Sequence, residues 1–426
     1  MSNTPALLKR SPWLWVPSLY YIEGLPYLLV VVITSTLYFK LGIPNAEMAL
    51  YTSSLYLAWV LKPLWSPIVE IISTNRRWTV LTQLAMAATL VGVALFIPGD
   101  NFFFLTLACF WVTAFCSATH DIAADGFYLK ALPEKEQSFF VGIRSTFYRF
   151  ALFTEGLLLG LAGWLETEMR VSMAWSLTIG AAALLMALGA MYHSFSLPRV
   201  EVAKPAPKSV GEVFEGFGEI FISFFRRKRM GAILAFLLLY RLGEAQLAKM
   251  ASPFLLAEAE AGGLGLTVAE VGLVKGIIGI LGLILGGILG GIAISRNGLK
   301  YWLWWMILAI NVPNLLYVLL ALFQPESLWV IAASIGVEQF GYGFGFTAYV
   351  MYLIYLADGP HQTAHYALGT GFMALSMMLP GMISGYLQES LGYLEFFIWV
   401  VIATLPAFAT AFFIPLDKEF GKSAKM

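Results

Sequence analysis

Residues 267–322 read TVAEVGLVKGIIGILGLILGGILGGIAISRNGLKYWLWWMILAINVPNLLYVLLAL. Two apolar runs, about 267–294 and 300–322, flank a short turn that carries Ser295, Arg296, Asn297, Gly298 and Lys300. Each run reaches the roughly 20 residues that a helix needs to cross a hydrocarbon core. The segment therefore predicts two membrane-spanning helices joined by a basic hairpin turn. Scanning outward for apolar stretches bounded by charge, Gly or Pro gives twelve such spans. Their approximate limits are 13–39, 48–69, 78–97, 102–131, 138–165, 171–193, 230–257, 267–294, 300–322, 327–356, 361–388 and 391–415.

Composition agrees. Of 426 residues, 59% are hydrophobic and 12% charged, against about 45–50% and about 25% in soluble domains. Lys plus Arg equals Asp plus Glu at 26 each, so the formal net charge is zero. That balance excludes the basic footprint of a nucleic-acid binder and the charge-rich profile of a disordered chain. Cys109 and Cys116 share one apolar run about two turns apart and cannot bond to each other. No zinc or disulfide spacing is present, and neither a metal nor a cofactor is expected. The first apolar run carries Glu23 and Pro26 and has no small-residue cleavage site, which predicts a retained first span.

The distribution of Lys and Arg sets the orientation. With both termini inside, the inner loops and tails hold eighteen of the 26, the outer loops only Lys40 and Arg170, and the spans the other six. Both ends are therefore expected in the cytoplasm. The single long loop, about 194–229, divides the chain into halves at 1–193 and 230–426. Within it Val210, Val213, Phe214, Phe217, Phe221 and Phe224 fall on one helical face, ahead of Arg226, Arg227, Lys228 and Arg229. This pattern predicts an amphipathic helix on the inner leaflet.

Gly291-Ile-Ala-Ile-Ser295-Arg296-Asn-Gly298-Leu-Lys300 resembles the loop signature of the major facilitator superfamily, with Ser295 in place of the usual Asp. A degenerate copy, Ser66-Pro-Ile-Val-Glu70 followed by Arg76-Arg77, stands at the equivalent place in the first half. A further ordered series is similar to the anhydromuropeptide permease family, which also includes acetyl-coenzyme A transporters and some siderophore permeases. It comprises Glu23-Gly-Leu-Pro26, Trp65-Ser-Pro67, Ala118-Thr-His-Asp-Ile-Ala-Ala-Asp125, Tyr148-Arg149, Glu338-Gln-Phe340, Gly343-Phe-Gly345, Tyr352-Leu353, Ala364-His-Tyr-Ala-Leu368, Gly385-Tyr-Leu387 and Gly392-Tyr393. His120 and His365 stand where the family pattern more often has Gln, and the chain has twelve spans where some members have extra ones. The resemblance implies an all-α membrane fold of two pseudo-symmetric six-helix bundles, and proton symport.

Charges within spans each cost about 2.5–3.5 kcal/mol, so each calls for a partner or a wet cavity. At about 1.5 Å per residue, Glu23, Arg149, Arg241, Glu244, Lys275 and Glu338 fall into one layer near the midplane, about 14–16 Å deep. The reading pairs Glu23 with Arg149, and groups Glu244, Arg241, Lys275 and Glu338 in the second half. With Tyr20 and Tyr342 these residues are the expected substrate site. Gly341, Gly343 and Gly345 would allow either a close substrate approach or tight helix packing.

Asp121 and Asp125 lie one turn apart at the cytoplasmic mouth, about 28 Å along their span. Asp125 is expected to latch an inner gate with Arg76 or Arg77, alongside Glu70 and Arg296. Glu338 and Glu23, then Asp121, are the expected proton carriers. Arg144, Lys62 and Lys249 give weaker signals, and His120 and His365 read as hydrogen-bonded structural histidines.

No Gly-x-x-x-x-Gly-Lys-Ser/Thr loop for ATP and no catalytic constellation occurs. The expectation is a monomeric secondary active transporter of the cytoplasmic membrane, not an enzyme, whose partners are protons, lipid and a polar small molecule. With the family resemblance, a cell-wall amino-sugar or muropeptide fragment comes first among substrates. An oligosaccharide, a siderophore and an acyl-coenzyme A follow. An exporter, an uncoupled facilitator and a lipid scramblase of the same fold are the other readings.

Overall fold

The computed structural model describes residues 10–199, 218, 221–359 and 362–422. The described residues form helices and turns and contain no strand. Among the described residues, ten helices are long and apolar enough to cross a membrane: Pro12–Lys40, Asn75–Phe96, Phe102–Ala131, Val171–Ser196, Met230–Leu256, Val268–Asn297, Leu299–Phe323, Leu328–Ala357, Ala364–Leu391 and Tyr393–Ala411. They are spans 1, 3, 4 and 6 to 12 of the sequence reading. Spans 2 and 5 each come as two successive helices, Asn45–Ser54 with Leu57–Ile72 and Glu134–Leu152 with Thr154–Glu168.

Local chemistry accounts for the irregular stretches. Just before the break in span 2, Thr52 donates its hydroxyl to the Met48 carbonyl and Ser54 to that of Tyr51, both at 2.6 Å. Such back-bonding diverts carbonyls from the helical ladder and bends it. In span 1, Pro26 removes one backbone donor, and a π-helical stretch, Leu28–Ile33, follows. Span 8 has a second π stretch, Val274–Gly279, which contains Lys275. Span 7 is interrupted at Tyr240–Arg241, between Met230–Leu239 and Leu242–Leu256.

Two compact units result: the described residues of Met1–Thr34 with Leu61–Val213, and those of Ser35–Val60 with Phe214–Met426. In the first, Trp15, Leu19 and Tyr20 of span 1 pack on Ala124, Phe127 and Tyr128 of span 4, with Trp15 edge-on to Phe127 at 5.2 Å. In the second, Phe236 and Tyr240 pack on Tyr349 and Tyr352. The tyrosine hydroxyls bond to backbone: Tyr240 to the Gly345 carbonyl at 2.8 Å and Tyr349 to that of Leu237 at 2.7 Å.

The division differs in one respect from the sequential halves at 1–193 and 230–426. Residues 35–60, the end of span 1 and the start of span 2, pack with the C-terminal helices. Asn45 donates to Gln388 Oε1 at 2.6 Å and to the Tyr393 hydroxyl at 3.2 Å, and Glu389 accepts from the Ala46 amide at 2.8 Å. That carboxylate meets the start of the Asn45–Ser54 helix, where amide N–H groups have no intrahelical acceptor. The amphipathic helix expected over 210–224 lies mostly outside the described residues. Of its apolar stripe, Phe224 is fully buried and stacks on Phe372 of span 11.

The glycine-rich faces of spans 8 and 10 serve close packing. A Cβ on Gly286 would stand 2.1 Å from the Phe340 carbonyl oxygen, and one on Gly343 would stand 2.1 Å from that of Leu283. Backbone against backbone leaves no side chain that could yield. Gly286→Ala is therefore expected to cost about 1–3 kcal/mol through overpacking, seen as a lower melting temperature of the detergent-purified protein. Gly291→Ala, whose Cβ would meet nothing within 4 Å, should leave it unchanged. Equal melting of the two variants would show that the spans do not depend on this contact.

Candidate functional site

Each unit holds a cluster of charges inside its spans. In the first, span 4 supplies Asp121 and Asp125 one helical turn apart. Arg144 of span 5 pairs with Asp125 at 2.8 Å, and Tyr20 of span 1 donates to the same carboxylate oxygen at 3.0 Å. The guanidinium lies over the Tyr20 ring, 4.5 Å from its centre, and within 5.2 Å of the Tyr128 ring centre. Lys62 of span 2 pairs with Asp121 at 3.2 Å. Glu23, one turn from Tyr20, is 7% exposed, and its Oε2 has no hydrogen-bond partner among the described residues. The charges that act on it are Asp125, Asp121, Arg144 and Lys62. Around Glu23, then, three carboxylates meet two cations.

This corrects two expected pairings. Arg149 does not partner Glu23, and its side chain is exposed; the arginine whose charge acts on Glu23 is Arg144, five residues earlier, which is itself paired with Asp125. Asp125 does not reach Arg76 or Arg77. Arg76 instead donates to the carbonyls of Ser194 and Leu197 at the end of span 6, where the last carbonyls of a helix need donors. Arg77 and Arg296 are exposed. Glu70 sits in the Leu57–Ile72 helix, but its side chain lies outside the described residues.

In the second unit, Arg241 sits at the interruption of span 7, donates to the Tyr342 hydroxyl and lies 4.7 Å from the Phe346 ring centre. Glu244, one turn on, is buried with its Oε2 unbonded among the described residues, and Glu338 and Arg241 are the charges that act on it. Glu338 is 1% exposed and accepts from the Gln339 amide at 3.0 Å. Lys275 is the charge that acts on Glu338, and its ammonium donates to Ser252 at 2.8 Å. The structure thus brings Arg241, Glu244, Lys275, Glu338 and Tyr342 together. Sequence reasoning gave too little weight to Lys249, which is 6% exposed and donates to Thr52 at 2.9 Å and Ser35 at 3.3 Å. It also underweighted Lys62 and Arg144. The available signal was a matching of opposite charges by depth, Lys62 with Asp121 near the inner end.

The two histidines that depart from the family pattern make structural hydrogen bonds. Gln83 donates its amide to His120 Nε2 at 2.8 Å and accepts from His193 Nδ1 at 2.9 Å, and Ser18 bonds to His193 Nε2 at 3.0 Å. His365 takes the Arg227 guanidinium at Nδ1 and Ser223 at Nε2, both at 2.9 Å.

A group of titratable residues on facing helices, without any cluster of metal-ligand type among the described residues, suits ion and solute handling. Known proteins agree. The family model described as Major Facilitator Superfamily matches residues 24–385. The anhydromuropeptide permease of Escherichia coli strain K12 is 27% identical over 354 residues, which cover 82% of this chain and 69% of that protein. Among solved structures, the nucleoside transporter NupG has a TM-score of 0.67 at 16% identity, covering 93% of this chain and 98% of its own. A D-xylose–proton symporter has 0.70 at 11% identity, covering 96% and 98%. These structures share the fold. On the family match and the fold together, the chain belongs to the Major Facilitator Superfamily and is a multi-pass membrane transporter.

Proposed function

We propose that the chain is a proton-coupled importer of a polar, cell-wall-derived amino-sugar or muropeptide fragment, acting in the cytoplasmic membrane with both termini inside. It alternates access by relative movement of its first and second halves. The similarity to an anhydromuropeptide permease over most of the chain supports the substrate class. The observation that carries the coupling is Glu23, a buried carboxylate whose Oε2 has no hydrogen-bond partner among the described residues and on which Asp125 and Asp121 act as well as Arg144 and Lys62. An uncompensated carboxylate within the spans is costly. A proton taken up on one side and released on the other removes that cost in one state and restores the charge in the other. Glu338 is the matching carboxylate of the second half, and Asp121 is the next candidate carrier. Arg241, Glu244, Lys275 and Tyr342 contribute polar contacts to the solute.

In the first half, Asp125–Arg144 and Asp121–Lys62 serve as the cytoplasmic latch. Their ion pairs lie on spans 2, 4 and 5 and are partly exposed, with Asp125 at 42% of its side chain. A latch that opens each cycle needs this accessibility, since water must be able to resolvate the charges as they part.

Uptake into proteoliposomes tests the coupling. Radiolabelled anhydromuropeptide should accumulate above its external concentration under an inward proton gradient and merely equilibrate without one. Glu23→Gln and Glu338→Gln should each abolish accumulation while melting at the wild-type temperature. Equal, gradient-independent flux in all three proteins would leave a facilitator. The latch has its own test. Asp125→Arg and Arg144→Asp should each reduce uptake at least tenfold, and the double exchange should recover a substantial part of it, as expected for directly interacting residues. No recovery would separate the pair from the transport cycle.

A further inference from the structure

Among the described residues of the second unit, Lys249 is a buried cation with no carboxylate beside it. Its ammonium carries three N–H donors, and two of them go to neutral hydroxyls, Thr52 and Ser35. The charge that acts on it is another cation, Lys275. Arg241 and Lys275 lie among Glu244 and Glu338, so three cations face two carboxylates and Lys249 is the excess. A second, independent feature marks the same place. The hydroxyl of Ser53 is fully buried and has no hydrogen-bond partner among the described residues. It lies close to Lys249: a Cβ placed on Gly381 would stand 2.6 Å from Ser53 Oγ and 3.9 Å from Lys249 Cε.

A buried ammonium satisfied only by hydroxyls, next to an unsatisfied hydroxyl, is short of an anion. The donors match a carboxylate, which has two oxygens able to accept several bonds. Without Arg, and with Lys275 directed to Ser252 and acting on Glu338, the place is poorly matched to a phosphate dianion. We propose that Lys249, with Ser35, Thr52 and Ser53, binds a single carboxylate group of the transported solute. Thr52 and Ser35 hold the ammonium until the solute arrives, and the carboxylate then takes the uncommitted N–H and the Ser53 hydroxyl. The inference rests on the reading of the chain as a solute importer and narrows its substrates to those bearing one carboxylate at the site. It also agrees with the charge count of the cluster formed by Arg241, Glu244, Lys249, Lys275 and Glu338, because a monoanion neutralises its one excess cation.

The experiment is equilibrium binding to the purified, full-length protein, with thermal melting as the control for folding. The probes are N-acetylmuramate, its methyl ester, N-acetylglucosamine and, independent of any sugar, lactate. N-acetylmuramate should bind at least tenfold more tightly than its ester, about 1.4 kcal/mol. Lys249→Met should abolish that difference without lowering the melting temperature, because it removes an unpaired buried charge and keeps the side-chain volume. Ser53→Ala, a milder variant, should reduce the preference in part. Equal binding of acid and ester, or a preference that survives Lys249→Met, would overturn the proposal. Lysine-dependent binding of lactate without N-acetylmuramate would support the carboxylate site and reject the cell-wall substrate. Binding of N-acetylglucosamine alone would do the reverse.

Discussion

A charge carried into hydrocarbon costs about 2.5–3.5 kcal/mol on insertion scales, so a buried carboxylate or ammonium calls for a matching group. The arrangement of the spans follows from that requirement as much as from apolar packing. Asp125 draws together spans 1, 4 and 5 by accepting from Tyr20 and Arg144, and Asp121 adds span 2 through Lys62. The two aromatic rings beneath the Arg144 guanidinium extend the same effect, because a desolvated cation gains from a π-face. In the second unit Arg241 is held in the same manner by Tyr342 and Phe346.

Where compensation is incomplete, the departures have opposite sign in the two units. Glu23 is an excess carboxylate among its neighbours, and Lys249 is an excess cation among its own. Groups of this kind contribute nothing to stability as they stand, and they persist in a structure when something else supplies the missing charge. A proton suits the first and an organic anion the second. Under the proposed function, that asymmetry assigns the coupling proton and the solute carboxylate to different units of the chain.

Backbone irregularity occurs near these same groups. The π stretch of span 1 begins five residues after Glu23, that of span 8 contains Lys275, and the interruption of span 7 lies at Arg241. Widened or broken turns in a membrane helix are tolerated where the protein re-satisfies the freed groups, and they turn side chains that a regular helix would direct elsewhere. Against them stands the rigid contact of spans 8 and 10, where Gly286 and Gly343 bring backbone onto backbone.

Much was legible in the sequence. The all-α membrane class follows from apolar run length, because a hydrocarbon core imposes its thickness on any helix that crosses it, and the superfamily was legible in the motifs around residues 291–300 and 23–26. Depth along a span is likewise a matter of counting at a fixed rise per residue. The pairing of charges within the layer is not, because it depends on the rotation of each helix and on which spans adjoin. Arg144 and Arg149 are five residues apart, about 140° around a helix of 3.6 residues per turn, so one faces Asp125 and the other is exposed. The same holds for Lys249, whose hydroxyl partners are some two hundred residues away in the chain, in a segment that packs with the second half although it belongs to the first in sequence. The sequence by itself determined the apolar helical runs and the family; the tertiary structure alone decided which charges meet, since only packing sets the rotation and neighbours of each helix.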